Sequence, residues 1–128
     1  MASDEEYLAI FKALKSILCE YVPVLDCVQD DKLGFYLNTR HIMKNKKPLF
    51  FAAVKINKFY VSYHLMPVYV FPELCRDIST DLKKRMQGKS CFNVKCKDDE
   101  IFDALMRLTR SGYQRYVDAG YIPKAFEN

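Results

Sequence analysis

Hydrophobic residues recur at spacings of three and four near the start of the chain. Ser3 and Glu6 form a capping box, and the acids Asp4 and Glu5 complement the positive end of a helix dipole. An apolar face then continues up to Pro23 through Tyr7, Leu8, Phe11, Leu14, Leu18 and Tyr21. This pattern predicts a first helix over residues 4–21.

Two further helices are predicted in the second half of the chain. Ser79 is a favoured N-cap for a short helix over residues 80–87, and Gly88 is a favoured C′ residue after it. A longer helix is predicted over residues 98–117, with Gly112 as a weak point. Its apolar residues at helical spacing are Ile101, Phe102, Leu105, Leu108 and Tyr116.

The intervening segments have the character of short strands. They are rich in aromatic and β-branched residues, and Asp, Asn and Lys separate them; they read VLDCV, LGFYLNT, LFFAAVKI, FYVSYHL and CFNVK. The short link between Ile56 and Phe59 requires a hairpin. The segment MPVYVFPELC contains Pro67 and Pro72, which predict an extended edge or crossover. A meander of four or five antiparallel strands is expected.

Alternation along the strands assigns two faces. One face is expected to join the core and comprises Leu33, Phe35, Leu37, Phe59, Val61, Tyr63 and Leu65. The opposite face is amphipathic and comprises Gly34, Tyr36, Asn38, Tyr60, Ser62, His64 and Met66. The predicted fold class is therefore α+β, with an antiparallel sheet of about five strands and the N- and C-terminal helices packed on one face.

Composition is consistent with one folded domain spanning residues 1–128. The chain is 50% hydrophobic and 28% charged, which is typical of globular proteins. Its acidic start is unlike a secretory signal, and no apolar run reaches the ~18–20 residues that cross a bilayer. Five cysteines without a CxxC pair indicate reduced, mostly buried thiols. We therefore expect a cytoplasmic protein with no membrane partner.

The amphipathic sheet face is the candidate binding site. Aromatic surfaces mixed with a few polar groups are typical of ligand sites. The expected ligand-binding residues are Tyr36, Asn38, Tyr60, Ser62, His64 and Asn93, with Lys89 or Lys95 supplying positive charge at the rim. The sequence assigns no catalytic residue and no metal ligand, and it identifies no cofactor.

Other groups of residues suggest other chemistries. His64 with Cys91 would form a thiolate–imidazole pair if their strands are neighbours, although a cysteine at a strand start is more often an inert core residue. The lysines at 44–47 and 83–89 do not by themselves favour nucleic-acid binding, because exposed lysines commonly serve solubility. Acids that would suit iron are Asp4, Glu5, Glu6, Asp26, Asp30 and Asp31, although caps and turns also use such residues.

Three segments resemble the YdhG-like family of small bacterial domains. They are the leading EEYLAIFKAL helix, the KPLFFAAVKINKFYVSYHL hairpin and the ISTDLKKRMQGKSCFNV passage. The resemblance covers about residues 5–116 and implies a frataxin-like α/β sandwich. It also implies an iron-chaperone-like role with ligands among the acids of the first helix and first strand. This chain departs from the family in its basic net charge of +4 and in having NTRHIMKNKKP before the hairpin.

The combined expectation is a binding domain rather than an enzyme. Its ligand would be a small molecule or an anion, with iron as a further candidate. The alternative is a homodimeric interaction module in which another chain covers the aromatic face.

Overall fold

A computed structural model describes residues 4–124 of the chain. The α-helices in this part are α1 Asp4–Cys19, α2 Met66–Val70, α3 Thr80–Lys84 and α4 Asp99–Asp118, and a 3₁₀ helix spans Pro72–Cys75. The strands are β1 Asp26–Asp30, β2 Gly34–Ile42, β3 Pro48–Ile56, β4 Val61–Leu65, β5 Met86–Gln87 and β6 Cys91–Val94. The order of helices and strands confirms the α+β class.

The strands form one antiparallel sheet in the order β1-β2-β3-β4-β6-β5. Strands β1 to β4 are the predicted meander, and β3 and β4 form the predicted hairpin. The sixth strand was not expected, because Met86 and Gln87 were assigned to a helix. Helix α3 ends at Lys84, and these two residues instead pair with β6. Gly88 has a φ of +78° in the β5–β6 turn and is not the C′ residue of the helix.

Helices α1 and α4 cover one face of the sheet and form the core with it. The strand residues predicted to face the helices, Phe35, Leu37, Val61, Tyr63 and Leu65, are all buried. At the centre the hydroxyls of Tyr63 and Thr109 lie 2.5 Å apart, and the Thr109 hydroxyl donates to the Leu105 carbonyl. This contact joins the middle of the sheet to α4. The opposite sheet face, which carries Lys55, Ser62 and His64, is called the open face below.

Three residues assigned to the core are exposed instead. Leu33 and Phe59 are 68% and 50% exposed because each precedes the first residue of its strand, where sheet alternation does not hold. Leu8 is 41% exposed on α1, while Ile10 and Ile17 join the buried face. The period of the first helix was predicted correctly, but its buried stripe is rotated towards these two isoleucines.

The segment between the two prolines is helical, so the prediction of an extended edge or crossover was wrong. Proline is favoured in the first turn of a helix because its missing N–H would have no partner there. Pro67 is the second residue of α2, and Pro72 is the first residue of the 3₁₀ helix. The backbone N–H of Phe71 donates to the Pro67 carbonyl at 2.7 Å, which closes the first helix before the second starts.

The predicted Ser79 cap is confirmed, and Asp98 forms a second N-cap that was not predicted. The Ser79 hydroxyl accepts from the Leu82 N–H at 3.1 Å. The Asp98 carboxylate accepts from the N–H groups of Glu100 and Ile101, so α4 begins where the sequence predicted. The proposed capping pair of Ser3 and Glu6 includes a residue outside the described part of the chain.

The cysteines are less buried than expected. Cys19, Cys27 and Cys96 are exposed, and Cys75 and Cys91 are half-buried, so the prediction of mostly buried thiols was wrong. Each lies near an element end or on the open side of the sheet rather than inside the core.

Within residues 4–124, no helix has the length and apolar character needed to cross a membrane.

Candidate functional site

A row of side chains crosses the open face of the sheet. The strand register pairs Gln29 with Tyr36, Tyr36 with Ala53, Ala53 with His64, and His64 with Cys91. Residues directly opposite one another in antiparallel strands project from the same face. The only methyl side chain in this row, Ala53, therefore stands between the rings of Tyr36 and His64.

The small residues Ala53 and Gly34 line a concavity of about 510 Å³ in this face. Tyr36 and His64 form opposite walls, and Lys55 and Ser62 line the next cross-strand pair on the same face. Pockets of about 300–1,000 Å³ are typical of small-molecule sites. The concavity therefore has the size of a site for a small ligand.

A β-bulge in β3 determines which aromatic residue reaches this face. The register shifts between the pairs Leu37–Ala52 and Asn38–Phe50, so Phe51 is the extra residue. Phe51 and Ala52 are both fully buried, and Phe50 is half-buried on the open side. Without the bulge, alternation from Ala52 would place Phe50 in the core.

Phe50 connects the two walls of the concavity. Its ring stacks on Tyr36 with centroids 4.6 Å apart and an interplanar angle of 27°. The same ring lies 6.2 Å from the centroid of His64, tilted by 54°. Aromatic pairs at these separations are attractive, so Phe50 limits the movement of both walls.

The polar groups around the concavity favour a negative ligand over a positive one. The Lys55 ammonium has no ion-pair or hydrogen-bond partner among the described residues, and no Asp or Glu of residues 4–124 lines the concavity. Partial burial lowers the pKa of His64, because an apolar environment disfavours the imidazolium form. His64 is therefore mainly neutral at pH 7. The Ser62 hydroxyl accepts from the Asn57 amide at 2.6 Å and keeps its own proton to donate.

Three of the eight predicted site residues line this concavity, namely Tyr36, Ser62 and His64. Asn38 lies on the same face and pairs with Phe50, outside the lining. Tyr60 is half-buried, lies before β4 and does not line it either.

The other three predicted residues lie nearer the β5 edge. Asn93 and Lys95 line a separate depression of about 410 Å³ with Lys84 and Arg85. Lys89 lies in a third depression, with its ammonium 6.0 Å from the centroid of Tyr69. The positive charge at the open-face concavity comes from Lys55 instead.

Ala53, Phe50 and Lys55 were not selected from the sequence. Strand alternation would place Lys55 on the open face, because it follows the buried Val54. Ala53 carries no chemical signal of its own, since its role is to leave space between larger neighbours. Phe50 was obscured by the bulge, which strict alternation does not anticipate.

The strands place His64 and Cys91 side by side without forming a reactive pair. The Cys91 thiol contacts the Asn93 amide oxygen at 3.6 Å, and no hydrogen bond joins it to His64. Burial raises the pKa of Cys91 and lowers the pKa of His64, so both groups are held neutral. This is the reverse of what a thiolate–imidazolium pair requires.

Three of the acids considered for iron make other contacts in the structure. Asp30 pairs with Lys15 at 2.5 Å, and Asp26 pairs with Arg40 at 3.1 Å. Asp31 accepts from the N–H groups of Leu33 and Gly34, which closes the β1–β2 turn. Among residues 4–124, no group of three or more His, Cys, Asp or Glu side chains is placed to hold a metal ion.

A larger depression of about 910 Å³ lies on the helical side, between residues 73–82 and α4. Its rim is acidic, but Glu73 is paired with Arg115 and Asp103 with Arg107. The remaining acids, Asp77, Asp99 and Glu100, are exposed on its outer edge. None of the predicted site residues lines it.

Comparisons with protein-family models, curated proteins and solved structures found no match to this chain.

Proposed function

We propose that this protein is a non-enzymatic binding domain that holds a small ligand in the concavity over Ala53. The observation that carries the proposal is the cross-strand placement of Ala53 between Tyr36 and His64. A single small side chain between two rings creates a gap with apolar walls. Lys55 and Ser62 add a charge and a hydroxyl beside that gap, which would orient a ligand.

The contacts of the walls support a preformed site. Phe50 touches both Tyr36 and His64, and Asn57 holds the Ser62 hydroxyl. A site whose groups are already in place loses less conformational entropy when its ligand binds. This favours a binding role over a sheet face that is merely exposed.

A homodimer is the second candidate, because apolar side chains are exposed beside the same face. Leu33 is 68% exposed at the concavity, and Val28 is 57% exposed on the edge strand β1. A second chain packed here would cover both residues. Light scattering would then give about twice the chain mass of 15.0 kDa, and a variant with Leu33→Asp would return to the monomer.

Membership of the YdhG-like family remains a proposal that rests on the three resembling segments. Its iron-chaperone-like role gains no support from the acids of β1, because Asp26 and Asp30 are engaged by Arg40 and Lys15. A ferrous titration that is lost when Asp4, Glu5 and Glu6 are neutralised would favour the iron role over the binding site proposed here.

The proposal is tested by screening a small-molecule fragment library against ¹⁵N-labelled protein. Bound fragments are expected to shift the amide signals of Tyr36, Ala53 and His64. The Ala53→Leu variant should abolish these shifts because the larger side chain fills the gap between the walls. Its side chain points away from the core, so the fold should be retained, as checked by the dispersion of the other amide signals.

The matched control is Ala9→Leu, which makes the same substitution on the exposed side of α1. It should bind the same fragments as the wild type. The proposal fails if no fragment shifts the open-face amides. It also fails if Ala53→Leu binds them as tightly as Ala9→Leu does.

A further inference from the structure

We infer that the ligand of the open-face concavity is a planar, unsaturated ring that carries a single negative charge, as an aromatic carboxylate does. This inference rests on the proposed function and specifies the ligand class for the same site. It combines the shape of the aromatic walls with the charge on the polar side of the concavity.

The walls favour a flat ring. Tyr36 on β2 and His64 on β4 flank Ala53 on the intervening strand β3, and adjacent antiparallel strands lie about 4.7–4.9 Å apart. The backbones that carry the two walls are thus two strand spacings apart, which leaves room for one ring between aromatic neighbours. Phe50 supports both walls from the side, so a thick saturated ring would have to displace this contact network.

The charge is expected to be negative because Lys55 is the ionised group of the lining. Its ammonium lines the concavity and has no carboxylate partner within residues 4–124. A carboxylate on the ligand would supply the missing partner.

A single charge fits better than a double one. His64 on the opposite wall is neutral at pH 7 and offers a hydrogen bond rather than a second positive charge. The Ser62 hydroxyl, which is cross-strand from Lys55, can donate to the same carboxylate. A dianion such as a phosphate monoester would leave one charge without a partner.

Four probes of similar size but different charge or ring saturation test the inferred ligand class. They are 2-naphthoate, 2-naphthylmethanol, 2-naphthylmethylammonium and decalin-2-carboxylate, and their dissociation constants are measured from the shifts of the open-face amides. We expect 2-naphthoate to bind about fivefold tighter than the alcohol, since a partly exposed ion pair adds about that much. The ammonium compound and the saturated carboxylate should both bind more weakly than 2-naphthoate.

The role of Lys55 is isolated with a matched pair of variants. Lys55→Gln should weaken 2-naphthoate about fivefold and leave the neutral alcohol unchanged. Lys58→Gln removes an exposed lysine three residues away, outside the concavity, and should leave all four probes unchanged.

The outcomes separate this inference from the proposed function. If the four probes bind with equal affinity, or Lys55→Gln weakens the alcohol as much as the carboxylate, the ligand class is wrong while the site stands. If none of the four binds but other fragments shift the open-face amides, the class is again wrong and the site stands. If no compound of any kind shifts these amides, both fail.

Discussion

Gly112 of α4 packs directly against Pro67 of α2. A methyl group added at Gly112 would lie 2.8 Å from the Pro67 Cβ, closer than carbon atoms approach without displacement. The absence of a side chain at Gly112 therefore lets the two helices meet, and the residue that weakens the helix by propensity is needed for its packing.

Gly112→Ala is expected to destabilise the protein by up to about 2 kcal/mol. Alanine would gain about 1 kcal/mol in helix propensity, but the overpacking against Pro67 costs about 1–3 kcal/mol. Urea unfolding measures the difference. Ser111→Ala, on the exposed side of the same turn, is the control and should be neutral or slightly stabilising. A Gly112→Ala variant as stable as this control would show that the helices are not in close contact.

The hydroxyl pair of Tyr63 and Thr109 predicts an asymmetry between two variants. Tyr63→Phe leaves Thr109 bonded to the Leu105 carbonyl and should cost about 1 kcal/mol. Thr109→Val leaves the buried Tyr63 hydroxyl without a partner and should cost about 2 kcal/mol. The double variant should lose about 1 kcal/mol less than the sum of the two. Additive losses in urea unfolding would contradict a direct bond.

The Asp98 cap predicts a difference between two substitutions at one position. Asparagine caps a helix about as well as aspartate, whereas alanine costs about 1 kcal/mol. Both substitutions remove the ion pair of Asp98 with Arg85, so their difference reports the cap alone. Thermal unfolding should place Asp98→Asn above Asp98→Ala. Equal midpoints would show that α4 does not need this cap.

The lowered pKa of His64 predicts how stability depends on pH. In the unfolded chain this histidine takes up a proton near its usual pKa of 6.5, before the folded protein does. Protonation of His64 therefore does not lower the free energy of unfolding above pH 6.5, and it lowers this free energy as the pH falls below that value. Between pH 7.5 and pH 5.0 the wild type should lose more stability in urea unfolding than His64→Gln does. Equal losses would mean that burial does not affect this ring.

The sequence was a good guide where a residue acts through its own type and spacing. Helix α4, the Ser79 cap and the buried row from Val61 to Leu65 all follow from local patterns of charge and hydrophobicity. Tyr36, Ser62 and His64 were selected for the same reason, because alternation places them on one face.

What the sequence did not reveal depends on neighbours distant along the chain. The function proposed for Ala53 is visible only once Tyr36 and His64 are known to flank it. The bulge at Phe51 breaks alternation, and Gly112 appears as a helix weakness until Pro67 is placed beside it. Leu33 and Phe59 lie just before their strands, so alternation along the strand does not predict their exposure.

The most direct test of the binding site is a crystal structure of the protein grown with saturating 2-naphthoate. The account predicts electron density for the ring over Ala53, between Tyr36 and His64, with the carboxylate within hydrogen-bond distance of the Lys55 ammonium. Crystals in which neither 2-naphthoate nor any fragment that shifts the open-face amides occupies the concavity, or in which they are ordered only in the depression beside α4, would contradict it.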